Sequence, residues 1–196
     1  YMVVFVKDFG LRGIWISIFT SISAFCNAGI ALHPDSLISL ANDPVVLVTI
    51  TLLVILGGIG FLVISNLFHY HFWKRDIKKR GHLSLHSRMV LWATATLLIV
   101  GGLLFAILEW NHSLGKNPGI SLYEAIRLGE WGTAGETAHL YLMKIVRAFS
   151  QAAIFRTAGF NVVDIGEVTS SGNLLSIILM LIGGSPGSMA GGIKTT

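Results

Sequence analysis

Phe19-Thr-Ser-Ile-Ser-Ala-Phe25-Cys-Asn-Ala28-Gly29-Ile30 and Phe149-Ser-Gln-Ala-Ala-Ile-Phe155-Arg-Thr-Ala158-Gly159-Phe160 are one pattern written twice, 130 residues apart. Both Phe positions, the Ala, the Gly and the bulky apolar residue after it keep register. Each copy closes a short apolar stretch, Gly13 to Phe25 and Leu140 to Phe155. Stretches of this length, about 20–24 Å as helix, fall short of a hydrocarbon core of about 30 Å and suit re-entrant or buried helices. Each copy is followed, after a polar stretch, by a longer apolar run with a glycine pair, Gly57-Gly58 in one and Gly183-Gly184 in the other. Each copy therefore reads as re-entrant helix, glycine loop, spanning helix. A lone Ala-Gly pair would be an ordinary helix C-cap. Two registered copies in the same re-entrant setting point instead to a filter.

Composition agrees with a bilayer protein. Of 196 residues, 53% are hydrophobic and 12% charged, against about 25% charged in a soluble domain. The mean hydropathy is +0.72. The net charge of +4 resides mainly in one short run between apolar segments, which argues against nucleic-acid binding. The single cysteine, Cys26, excludes an internal disulfide. The chain opens without a signal peptide and stops directly after an apolar segment, so it is expected to be an internal piece of a longer protein.

Three longer apolar runs follow in order. Pro44 to Phe68 is uncharged and, as one helix of about 37 Å, would span a bilayer with some tilt. Met89 to Leu108 is the second, with Trp92 and Trp110 near its ends, where interfacial aromatics are common. In the third, only Leu174 to Ile182 is strongly apolar. Gly183-Gly184-Ser185-Pro186-Gly187-Ser188-Met189-Ala190-Gly191-Gly192 then holds five Gly and one Pro in ten residues, which will not keep a regular helix. Non-helical backbone at membrane depth is tolerated where protein or a water-filled cavity satisfies it, and such breaks mark transport pathways.

The charges orient the chain. His69 to Arg88 carries six basic residues against Asp76, net +5, whereas Glu109 to Glu136 is net −2. The positive-inside rule places the first segment in the cytoplasm and the second outside. The expected organisation is a unit over residues 1–68 lacking its first helix, a cytoplasmic basic linker over 69–88, and a nearly complete unit over 89–196 whose second helix is broken.

This order is the plan of a cation pore. A short helix points its partly negative C-terminal end toward the membrane centre. The loop after it offers backbone carbonyls in place of hydration water. The fold expected is all-α and integral to the membrane, with repeated helix–re-entrant loop–helix units around one axis, as in a tetrameric channel.

Ser23-Ala-Phe-Cys-Asn-Ala-Gly29, Arg156-Thr-Ala-Gly-Phe-Asn161 and the run Gly183 to Thr196 resemble the Trk/Ktr/HKT superfamily of potassium transporters. The Ser-Pro-Gly-Ser run, Ser84-Leu-His-Ser and Leu108-Glu-Trp-Asn111 look most like its KtrB branch. The resemblance implies four non-identical pore repeats, of which this chain resembles the second and third. It implies filter glycines at Gly29 and Gly159, with carbonyls of Cys26, Asn27, Ala28, Arg156, Thr157 and Ala158 lining the path of K+, or of Na+ in sodium-selective relatives. It implies that Gly183 to Gly192 is an intramembrane gate. It also implies a multi-pass protein of the cell membrane, a homodimer of pore subunits, a cytoplasmic nucleotide-binding regulatory subunit, and no cofactor in this chain. Two residues depart from the superfamily's pattern: Ile30 stands where Phe is frequent, and Met189 where a smaller residue is usual.

Other residues are read more plainly. Cys26 is expected to act through its backbone oxygen rather than its thiol. His69, His71, His82 and His86 match no strong metal-ligand spacing and read as solvated, with contact to a regulatory subunit as the functional option. Arg156 is expected to anchor its loop to neighbouring carboxylates or carbonyls, since a cation in the path would repel the substrate. Lys194 reads equally as snorkelling toward the cytoplasm and as part of the gate. Ser36, outside the filter set, is expected to tolerate alanine. A secondary transporter built on broken helices would place acidic groups at mid-membrane, and the apolar runs hold neither Asp nor Glu. A packing scaffold leaves the registered loops unexplained. No Ser/His/Asp or Cys/His arrangement or metal cluster points to an enzyme.

Overall fold

Hydroxyls set into an apolar helix satisfy themselves on the preceding turn. Ser17 Oγ donates to Gly13 O at 2.7 Å, and Ser21 Oγ to Ser17 O at 2.7 Å. These residues lie in α1, Leu11–Phe25. The computed structural model describes residues 10–71, 84–110, 114, 134–156 and 158–194. Among them the further helices are α2 (Pro44–Ile59), α3 (Phe61–His71), α4 (Leu85–Glu109), α5 (Ala134–Phe155) and α6 (Ser170–Leu181). No strand occurs among the described residues; Ile182 and Ile193 form one isolated bridge.

The two halves run through the same order of elements. A helix, α1 or α5, ends at Phe25 or Phe155. A glycine loop follows, then a 3-10 turn at Ile38–Leu40 or Ile165–Glu167, then a capped helix, α2 or α6. Asp43 caps α2 by accepting from the N–H of Val45 at 2.9 Å, with Pro44 at the first helical position, where its missing N–H costs nothing. Thr169 caps α6 by accepting from the N–H of Gly172 at 3.1 Å. Helix α5 begins at Ala134, six residues before the apolar stretch expected from Leu140.

One expectation is corrected. Pro44 to Phe68 is not one straight helix: α2 and α3 are bent by 96° at Gly60. Gly60 has φ +91°, which a residue with a Cβ resists. Helix α4, with 25 residues, is by itself long and apolar enough to cross a membrane. Ser84 caps it, accepting from Ser87 N–H at 3.2 Å.

Two buried clusters hold the elements. Ala24, Leu37, Leu47, Ile50, Val54, Met143, Ile154, Ala158 and Phe160 form one core joining α1, α2 and α5. It ties the first half to α5 of the second. Phe105, Ala148, Ala152, Phe155, Val163 and Leu179 form the other, among α4, α5 and α6. Within it the Phe105 and Phe155 rings meet edge to face, centroids 5.6 Å apart. The outer faces of α4 and α6 are apolar and exposed, with Trp92, Ile99, Leu103 and Ile107 on one and Leu174, Ile177 and Leu181 on the other.

Candidate functional site

Helix α1 ends in a Schellman motif. Ala28 N–H donates to Ser23 O at 2.9 Å and Asn27 N–H to Ala24 O at 3.2 Å, with Asn27 in the left-handed region at φ +50°. The capping role of a lone Ala-Gly pair therefore falls to Asn27. Gly29, at φ +68°, turns left-handed for another reason. It meets the opposite loop: a Cβ on Gly29 would lie 2.5 Å from Gly159 Cα and 2.6 Å from Ala158 O. Gly159 has φ +79°, and a Cβ there would lie 3.0 Å from Gly29 Cα. The two loops touch backbone to backbone at matching positions of the repeat.

The loops are braced from behind. Ser23 Oγ donates to Ile30 O at 2.8 Å and accepts from Ile30 N–H at 3.0 Å. In the second half Gln151 Oε1 does the comparable work, accepting from Val162 N–H at 2.9 Å. Ser36 Oγ accepts from Asn161 N–H at 3.0 Å, and Leu37 N–H donates to Asn161 O at 3.0 Å. Ser36 is thus a cross-brace between the loops, at φ +57°, which alanine would remove. Further out, Arg147 Nε donates to Ala41 O at 3.0 Å and its guanidinium also reaches Asn42 Oδ1.

Ala28, Gly29, Ala158 and Gly159 therefore come together, with Cys26, Asn27 and Arg156 in the turns leading into them; Thr157 lies outside the described residues. The Cys26 thiol is free and exposed. Both polar atoms of the buried Asn27 amide lack a hydrogen-bond partner. Arg156 is buried, and its guanidinium donates to Gly183 O at 3.4 Å, the carbonyl anchor expected of it.

Gly183 to Gly192 contains no helix. Its ends close on each other: Gly183 N–H donates to Ile193 O at 2.9 Å, Ile193 N–H to Leu181 O at 3.1 Å and Gly184 N–H to Gly191 O at 3.3 Å. Gly183, Gly184, Ser185 and Ala190 are buried, Pro186 and Ser188 half-buried, and Gly187, Met189, Gly191 and Gly192 exposed. Lys194 Nζ donates to Ala190 O at 2.6 Å, so its ammonium completes this segment. The segment sits on the α2–α3 bend through bonds donated by Ser185 and Met189 and one accepted by Gly187 O.

Sequence reasoning missed the buried charges of Arg147 and Glu109. Glu109, at the end of α4, is 0% exposed. Its Oε1 accepts from Thr169 N–H at 3.0 Å and from the Thr169 hydroxyl, so it completes the N-terminus of α6. A carboxylate suits the positive end of a helix. The sequence signal was present only as a lone acid closing an apolar run. No group of three or more His, Cys, Asp or Glu able to hold a metal occurs among the described residues.

A bilayer-length apolar helix, an apolar helix pair bent at glycine and two glycine loops in contact, with no strand among the described residues, are consistent with a membrane protein. The chain belongs to the TrkH family, cation transport protein, which it matches over residues 3–196. It is 37% identical to the potassium/sodium uptake protein NtpJ of Enterococcus hirae over 195 residues, 99% of this chain and 37% of that protein. It is 40% identical to the Ktr system potassium uptake protein B of Vibrio alginolyticus over 184 residues, 94% of this chain and 35% of that protein. The Ktr system potassium uptake protein B of Bacillus subtilis is 36% identical over 185 residues, 94% of this chain and 35% of that protein. The chain thus spans little more than a third of the length of these relatives. The family is one of ion transporters, not enzymes.

Proposed function

We propose that this chain is part of the translocating subunit of a potassium uptake system, contributing two of the walls of its ion path. The observation that carries this reading is the contact of Gly29 with Gly159, two left-handed glycines at equivalent positions of an internal repeat. K+ passes where carbonyls of Cys26, Asn27, Ala28, Arg156, Thr157 and Ala158 replace its hydration water. Residues 1–68 and 89–196 are then two pore repeats, and 69–88 is a cytoplasmic linker. Gly183 to Gly192 gates the path below the filter. The apolar outer faces of α4 and α6 meet lipid in the cell membrane, which the subunit crosses several times. Two such subunits pair, and a cytoplasmic nucleotide-binding subunit regulates them.

Sodium is the second reading, favoured by the potassium/sodium uptake named for the Enterococcus hirae relative. The test is uptake by the full-length protein in cells lacking other potassium systems, with rubidium and sodium measured against concentration. Saturable rubidium uptake with preference over sodium is expected. Uptake of sodium alone would move the assignment to the second reading, and uptake of neither ion would end both. Deleting Ser185 to Ser188 should raise flux or free it from regulation; a well-expressed deletion with unchanged flux and regulation would remove the gate.

A further inference from the structure

The bend between α2 and α3 and the segment 183–192 are completed by each other. In an unbroken helix the N–H of Phe61 would donate to Gly57 O, that of Leu62 to Gly58 O and that of Val63 to Ile59 O. At the bend these carbonyls have other partners. Gly57 O accepts from Met189 N–H at 3.3 Å, and Gly58 O from Ser185 N–H at 3.2 Å. Ile59 O accepts from the Ser185 hydroxyl. Phe61 N–H in turn donates to Gly187 O at 3.3 Å. Bonds that a straight helix would make internally have been exchanged for bonds to the loop, and Ser185 is fully buried where they converge.

Backbone groups away from water must be paired. Lifting the loop would bare three carbonyls of α2 unless α2 and α3 straightened to reclaim them. Straightening would in turn take those carbonyls from the loop. We propose that α2–α3 and the loop form one two-state switch, bent with the loop seated or straight with the loop released. Helix α3 leads into the basic stretch 69–88. The consequence for ion flow rests on the function proposed above; the switch itself does not.

The test is a distance. Spin labels on cysteines replacing the exposed Leu52 and Leu67 are read by electron paramagnetic resonance in the full-length protein without other cysteines. Fifteen residues of straight helix separate their Cα atoms by about 22 Å. A bend of 96° brings them to about 15 Å. Ser185→Ala removes the bond to Ile59 O. Gly60→Ala strains the bend at φ +91° and sets a Cβ 2.8 Å from Ser185 Oγ. Both should lengthen the distance. Phe61→Pro should hold it short, even combined with Ser185→Ala. Proline gives up the Phe61 N–H bond to Gly187 O but is tolerated as the first residue of α3 and would clash inside a straight helix, and Gly60 at ψ 152° suits the position before it.

Lengthening in Ser185→Ala and Gly60→Ala, with Phe61→Pro short, supports the switch. Unchanged distances in the first two, or the long distance in the third, overturn it. Rubidium flux in the same variants is scored separately. Lengthening without a change in flux keeps the switch and removes the gate from the function proposed above.

Discussion

Gly29 and Gly159 face each other so closely that a Cβ on the first would lie 2.5 Å from the Cα of the second. Helix capping does not explain Gly29, because Asn27 already supplies the left-handed residue of the α1 C-terminus. The conformation of the two glycines serves the approach of two loops. Gly29→Ser and Gly159→Ser should each strain the backbone by about 1–3 kcal/mol. At about 1.4 kcal/mol per factor of ten, potassium affinity should fall roughly five- to a hundredfold. Asp at either position would add a charge and shift potassium/sodium preference as well. Rubidium uptake against concentration measures both. Wild-type affinity and selectivity in both serine variants would return the repeat to helix packing.

Ser36→Ala should behave unlike Ser39→Ala. Ser36 holds the Asn161 N–H across the two halves at 3.0 Å, whereas Ser39 is exposed. Losing one such bond costs about 1 kcal/mol, about a fivefold effect if it falls on the loop. Uptake affinity and thermal unfolding in detergent should both weaken for Ser36→Ala and stay put for Ser39→Ala. Equal behaviour of the two would show that the cross-brace carries no free energy.

The buried Glu109 and Thr169 should be energetically coupled. Thr169→Ala should destabilise by about 1 kcal/mol through the lost cap. Glu109→Ala leaves the Thr169 N–H without its carboxylate and should cost about 1–3 kcal/mol. The double variant should cost less than the two losses added, because they share one bonded unit. Thermal unfolding of the four proteins gives the coupling, and strict additivity would deny it.

Topology is checked by thiol labelling. Cysteine at Ser84 should react with an impermeant reagent only when the cytoplasmic side is opened, and cysteine at Ser113 should react from outside. The basis is the net +5 of His69 to Arg88 against the net −2 of Glu109 to Glu136. Labelling of position 84 in intact cells, in a Cys26→Ser background, would invert the chain.

Much was open to reading from the sequence alone, because it was local or repeated. The apolar lengths marked α1, α4 and α6; five glycines and a proline marked the stretch after α6 that holds no helix; and the 130-residue offset aligned Gly29 with Gly159. Arg156 was recognised as an anchor because a free cation could not serve the path, although its partner, Gly183 O, was not identifiable. Tertiary structure alone decided the rest. Pro44 to Phe68 has the composition of one straight helix. Its 96° bend exists because Ser185, Gly187 and Met189, more than a hundred residues later, take over the backbone groups that the bend sets free. Ser36 and Glu109 carry no local mark of their partners, Asn161 and Thr169. Periodicity reports which face of a segment avoids water. A hydrogen bond between distant segments depends on where the whole chain brings two polar atoms within about 3 Å, and no window of sequence holds that distance.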